Sequence, residues 1–154
     1  MSNSQSNNTA DPHGDGITAL DFFGLSRLLD ELHIPYKVIF AGDGISVDDA
    51  FEAERLGLYD AVLVPQSKRL SDMEYQALAD MSKVGAVVLS GSSGSLDLLG
   101  RGVDRQALGS GEGQRVFTLT QGGADYLADP SVERREALAA ELASSLSVLS
   151  TSLA

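Results

Sequence analysis

Two four-residue runs without a polar member, AVLV at 61–64 and AVVL at 86–89, constrain this chain more than any other feature. A strand with one face in water alternates apolar and polar residues. A strand covered on both faces reads as a continuous apolar run, and such strands belong to parallel sheets flanked by helices. The stretch between the runs supplies a covering helix: Ser71 and Glu74 stand at capping-box spacing, and Met73, Ala77, Leu78, Met81 and Val84 line one face behind them. Strand, helix, strand is the parallel crossover unit, right-handed in nearly all proteins.

The same alternation extends along the chain. Ile17, Leu20, Gly24, Leu28 and Leu32 recur at helical spacing, with Phe23, Leu25 and Leu29 widening the stripe, so a helix runs to about Leu32. His33, Ile34 and Pro35 end it, and the β-branched and aromatic YKVIFA (36–41) predicts the first strand. Ser46 with Asp49 opens a short helix anchored by Val47, Ala50, Phe51 and Leu56 and ended by Gly57. After AVVL comes a 24-residue stretch, 91–114, with seven glycines, too long for an ordinary connection. RVFTLT (115–120) alternates like a half-covered edge strand. Asp129 caps a last helix with Pro130 in its first position and a stripe of Val132, Leu138, Leu142, Leu146, Leu149 and Leu153. The expected fold is α/β, a three-layer doubly wound, flavodoxin-like domain over 17–154 with a mostly parallel sheet of four to five strands. Residues 1–16, rich in Ser, Asn, Asp and Gly, read as a disordered leader.

Such folds usually open with a strand that lies mid-sheet; here a helix comes first. Either YKVIFA and AVLV pair directly or the sheet accepts a strand from elsewhere, and self-association is an expectation on both readings. A different strand order with four strands is the alternative.

A net charge of -11 opposes phosphate backbones and anionic membrane surfaces, which argues against nucleic acid and membrane as partners. The absence of cysteine removes thiolate chemistry and Cys-based zinc sites, and His13 and His33 are the two imidazoles. The opening residues have no basic start and no apolar stretch, so a cytoplasmic location is expected. No metal and no cofactor are called for by any motif.

The runs IPYKVIFAGDG and LYDAVLVPQSKRLSDMEYQALADMSKVGAVVLSGSSG resemble the class I glutamine-amidotransferase-like domain attached to bacterial glycoside hydrolases, the β-galactosidase trimerisation type. The similarity spans about residues 20–95 and is carried by Tyr59–Pro65, Leu70–Asp72 and the glycine turn Gly91–Gly94. The resemblance implies a non-catalytic domain that joins subunits or helps wall the sugar site of a glycoside-hydrolase barrel, with self-association, such a barrel and carbohydrate as the partners to expect. This chain departs from the family in lacking the strand before the first helix.

Ser92 is the one candidate nucleophile, standing where an amidotransferase carries its own on a sharp strand-to-helix turn. A serine there needs a base such as histidine, and none follows it in the sequence. Asp43 and Gly44, after the first expected strand, and Gly91, Ser92 and Ser93, after the third, leave the carboxyl ends of strands, where doubly wound sheets bind ligands. A receiver-domain reading fails because Val64 and Pro65 stand at the phosphate-acceptor position. The acidic residues Asp48, Asp49, Glu52 and Glu54 read as a solvated helix face. The leading expectation is a non-catalytic oligomerisation or sugar-site support domain. The alternatives are a small hydrolase using Ser92 and a small-ligand-binding flavodoxin-like module.

Overall fold

The computed structural model describes residues 15–39, 56–91, 94, 101–104 and 106–151. Its elements are α1 (Asp15–Glu31), β1 (Ala61–Val64), α2 (Asp72–Val84), β2 (Ala86–Leu89), β3 (Val116–Thr118), α3 (Gly123–Ala128) and α4 (Val132–Thr151). The fold is α/β: β1, β2 and β3 form a parallel sheet in that order, with helices on both faces. Several expected features lie outside the described residues: the leader up to residue 14, the capped helix over 46–55, and 92–93, 95–100 and 105 of the glycine-rich stretch.

The apolar runs fold as they do because alternate side chains enter opposite cores. Val62, Val64, Val87, Leu89 and Val116 meet Ala77, Leu78 and Met81 of α2 on one face. Leu63 and Val88 meet Leu25 and Leu28 of α1, Tyr126 of α3 and Leu138 and Leu142 of α4 on the other. All four residues of β2 are buried, and each large one contributes about 1.5–3 kcal/mol over its exposed state. AVLV, by contrast, is an edge strand; Ala61, Val62 and Leu63 are half-buried, because nothing among the described residues pairs with its outer side. β3 is the opposite edge, as its alternation predicts, and its ladder continues through Val87 N to Arg115 O (3.0 Å) and Leu119 N to Leu89 O (2.8 Å).

Helix α2 starts with the expected box. Ser71 Oγ accepts from Glu74 N at 3.0 Å, and Ser71 N donates to Glu74 Oε2 at 2.8 Å. Its buried stripe is Glu74, Ala77, Leu78 and Met81, so Met73 and Val84, expected on that face, are exposed instead. They belong to the neighbouring row of the helix surface, one position off the i, i+3, i+4, i+7 set. A similar rotation holds for α1. Asp21, Gly24, Leu25 and Leu28 face inward, whereas Leu20 and Phe23 of the expected stripe are 52% and 58% exposed. Gly24 sets this rotation: a Cβ on it would lie 1.7 Å from the carbonyl oxygen of Gly123, so glycine alone lets α1 seat against the start of α3.

Three further expectations are corrected. YKVIFA forms no strand over Tyr36–Ile39, with Phe40 and Ala41 outside the described residues. The left-handed turn at His33 (φ 55°) and the bond from Ile34 N to Leu29 O (3.0 Å) close the end of α1, and the segment that follows joins no strand of the sheet among the described residues. YKVI and AVLV therefore do not pair directly. Asp129 does not cap the last helix. It closes α3, a helix the apolar pattern did not disclose, and Ser131 starts α4 by accepting from Arg134 N at 3.3 Å. Along α4, Leu138 and Leu142 are buried and Leu146 half-buried, but Val132 is exposed; the side chain of Leu149, and Leu153 altogether, lie outside the described residues. Among the described residues no helix is long and apolar enough to cross a membrane.

Candidate functional site

The carboxyl ends of the strands, where the sequence places its candidate ligand site, are bound together by a buried carboxylate. Asp21 is fully buried on the inner face of α1. Its Oδ2 accepts from Gln66 N at 2.8 Å, just past β1, and its Oδ1 accepts from Ala124 N at 3.0 Å, in the first turn of α3. Ser90, at the end of β2, accepts from Gly123 N through its hydroxyl at 3.1 Å. Thr18 adds a bond to the Gln66 carbonyl at 2.7 Å. Among the described residues α1, the ends of β1 and β2 and the start of α3 are thus joined at the edge where doubly wound sheets bind ligands, and Asp21 and Ser90 are engaged with main chain.

Of the candidate residues, Gly91 lies in this region, half-buried against the Gln66 side chain. Nearby Gly94 is buried at φ 78° and donates to Ser67 O at 3.0 Å. Asp43, Gly44, Ser92 and Ser93 lie outside the described residues. His33 is at the far end of α1, a dozen residues from Asp21 and so about 18 Å along the helix axis. Asp21 itself was missed by the sequence reading. The signal was present, since an aspartate four and seven residues before Leu25 and Leu28 shares their face and must be hydrogen-bonded if buried.

A second polar cluster lies toward the far end of α1. The Tyr126 hydroxyl donates to Glu31, whose other oxygen is 2.8 Å from Arg27 Nε, while Arg135 stands 3.8 Å away. The Tyr126 hydroxyl first, and Arg27 next, hold the Glu31 carboxyl below its ordinary range. Burial, followed by the bond to Glu31, pushes the Tyr126 phenol up. This arrangement stabilises a carboxylate and a neutral phenol, a structural use of both groups.

A further feature among the described residues is mostly apolar. A crevice of about 810 Å³ runs along the free edge of β1, within the size range of ligand and peptide clefts. Its lining includes β1 and the segment from Ile34 to Ile39. Phe22, Leu25 and Leu29 of α1 and Leu142 of α4 cover one face, while Leu56, Leu70 and Leu78 cover the other. Among the described residues no group of three or more histidine, aspartate or glutamate side chains is placed to hold a metal ion. No family model, curated protein or solved structure matches the chain.

Proposed function

We propose that this chain is a non-catalytic, amidotransferase-like α/β module that works by association, either joining subunits or supporting the carbohydrate site of a glycoside-hydrolase-type protein. The observation that carries the reading is the crevice along β1, whose described lining is mostly leucine, phenylalanine and β-branched side chains, the composition of a surface that associates with polypeptide, with Lys37, Asp60, Arg69 and Glu74 as its charged members. The engagement of Asp21 and Ser90 in main-chain bonds supports it, because those groups hold elements together at the sheet end. The amidotransferase-like identity rests on the short motifs Tyr59–Pro65, Leu70–Asp72 and Gly91–Gly94.

The test is a substrate screen over esters, amides and glycosides with the wild-type chain and Ser92→Ala in parallel. No turnover above buffer by either protein is the expected result. Turnover by the wild type that disappears in Ser92→Ala overturns the reading in favour of a serine hydrolase.

A further inference from the structure

We propose that α1 is a strap whose docking makes α3. Seated, it folds α3 and joins it to the end of β2; lifted, it takes α3 with it, and the two open as one unit while the rest of the sheet stays folded. The length of α3 gives the first reason. It has six residues, Gly123–Ala128, and a helix shorter than about 12–15 residues is marginal in water, so its form depends on what it touches.

Its contacts run along α1. In the first turn, Ala124 N donates to Asp21 Oδ1 at 3.0 Å. Beside that bond the two main chains meet with no side chain between them: a Cβ on Gly24 would lie 1.7 Å from the Gly123 carbonyl oxygen, and one on Gly123 would lie 2.1 Å from the Asp21 carbonyl oxygen. Farther on, Tyr126 packs with Leu25 and Leu28, and its hydroxyl donates to Glu31. Gly123 and Tyr126, the buried residues of α3, are thus both seated on α1. Gly123 N also donates to Ser90 Oγ at 3.1 Å, and Arg134 Nη1 to the Asp125 carbonyl at 2.8 Å. Those two bonds fasten main chain, and neither replaces the burial of Tyr126.

The second reason is that the sheet has a separate core on its other face. There Val64, Val87 and Leu89 pack on Ala77, Leu78 and Met81 of α2. The strap itself is held to the sheet by Thr18 Oγ1 donating to Gln66 O at 2.7 Å, by Gln66 N donating to Asp21 Oδ2 at 2.8 Å, and by Leu25 and Leu28 in the core that holds Val88. Regions with their own packing open as their own cooperative units.

The motion governs the carboxyl edge of the strands. Docked, the strap fixes Gln66 after β1 and, through α3, Ser90 after β2. Open, it releases both and withdraws Leu25, Leu28 and Tyr126 from Leu63, Val88, Leu138 and Leu142. An ordered strand-end edge and an uncovered apolar face are therefore the two settings of one device.

The test is native-state hydrogen exchange on the whole 154-residue chain in rising urea below its unfolding transition. The expected result is that the Leu25, Leu28 and Leu29 amides of α1 and the Ala124, Tyr126 and Asp129 amides at α3 converge on one opening equilibrium. Ala86 and Val87, bonded within the sheet, are expected to exchange only through the rarer global unfolding. Two variants separate the cases. Thr18→Val removes the hydroxyl that ties α1 to Gln66 and is expected to speed exchange in α1 and α3 by the same factor, about two- to tenfold for one hydrogen bond. Ser71→Ala uncaps α2 and is expected to speed Ala86 and Val87 while leaving α1 and α3 unchanged.

Amides of α3 that ignore Thr18→Val while those of α1 respond overturn the coupling, as does any difference between the two sets in opening equilibrium. If Thr18→Val moves neither set, the urea dependence decides alone. One shared equilibrium for α1, α3 and β2, or a Ser71→Ala effect spread equally over all three, overturns the separate opening.

Discussion

Asp21→Ala tests whether the buried carboxylate is what joins α1 to the end of the sheet. The substitution leaves two main-chain donors, Gln66 N and Ala124 N, without their acceptor. A buried donor left unsatisfied costs about 1–3 kcal/mol. Both bonds are only partly buried, so water reaches some of the released amides and the lower half of that range applies, for a total of about 3 kcal/mol. For a domain of this size that lowers the melting temperature by roughly 6–12 °C. Asp21→Asn refines the test, because its amide keeps one acceptor but sets an NH2 group against the other N–H. The expected order of stability is wild type, then Asn, then Ala. Urea unfolding followed by circular dichroism gives the energies, and hydrogen exchange at Gln66 and Ala124 reports the bonds themselves. A loss under about 0.5 kcal/mol in Asp21→Ala, the range of an ordinary surface change, refutes the reasoning.

Gly24→Ala places a methyl group 1.7 Å from the Gly123 carbonyl oxygen, which is main chain and cannot rotate away, so calorimetry should show a loss at or above the ~1–3 kcal/mol of ordinary overpacking. Ser71→Ala removes the acceptor for Glu74 N and should cost about 1 kcal/mol in urea titrations, with Ser71→Thr restoring most of it. The Glu31 carboxyl is lowered from an ordinary 4.5 in the fold, so its stabilising contribution is complete above that value and is lost as pH falls through the lower folded value; Glu31→Gln should flatten the acid limb of a stability–pH profile below about pH 4.5. An unchanged acid limb in that variant counts against the bonds from Tyr126 and Arg27.

The strands and helices whose signal is local were legible in the amino acids. AVLV and AVVL match β1 and β2 residue for residue, and the Ser71–Glu74 box marks the start of α2, because these segments state their burial or their cap within a few positions. The facing of α1 was not legible. It depends on Gly24 meeting Gly123 about a hundred residues away, a contact without trace in helical periodicity. The six residues of α3 escaped notice because so short a helix contributes one inward side chain of size, Tyr126, and is held by bonds from Asp21 and Ser90 on distant elements. YKVIFA misled for the opposite reason: β propensity describes a residue that fits a pleated surface, and a strand exists only where a neighbour lies at ladder distance. At the candidate site, Gly91 was read from the turn chemistry after β2, whereas the crevice is lined by residues of α1, β1, α2 and α4 that no single stretch of sequence brings together.

One of the two cores draws on both ends of the chain, with Leu25 and Leu28 packed beneath Tyr126, Leu138 and Leu142. During synthesis the first helix emerges early, yet Tyr126, Leu138 and Leu142, which complete the shelter that Leu63 and Val88 begin, follow it by about a hundred positions, on the order of ten seconds at ordinary translation rates. For that interval it presents leucine to the surroundings, and long-range closure of this kind slows folding. This core thus closes only when α4 arrives, and losing α4 by premature termination would undo the seating of α1 as well.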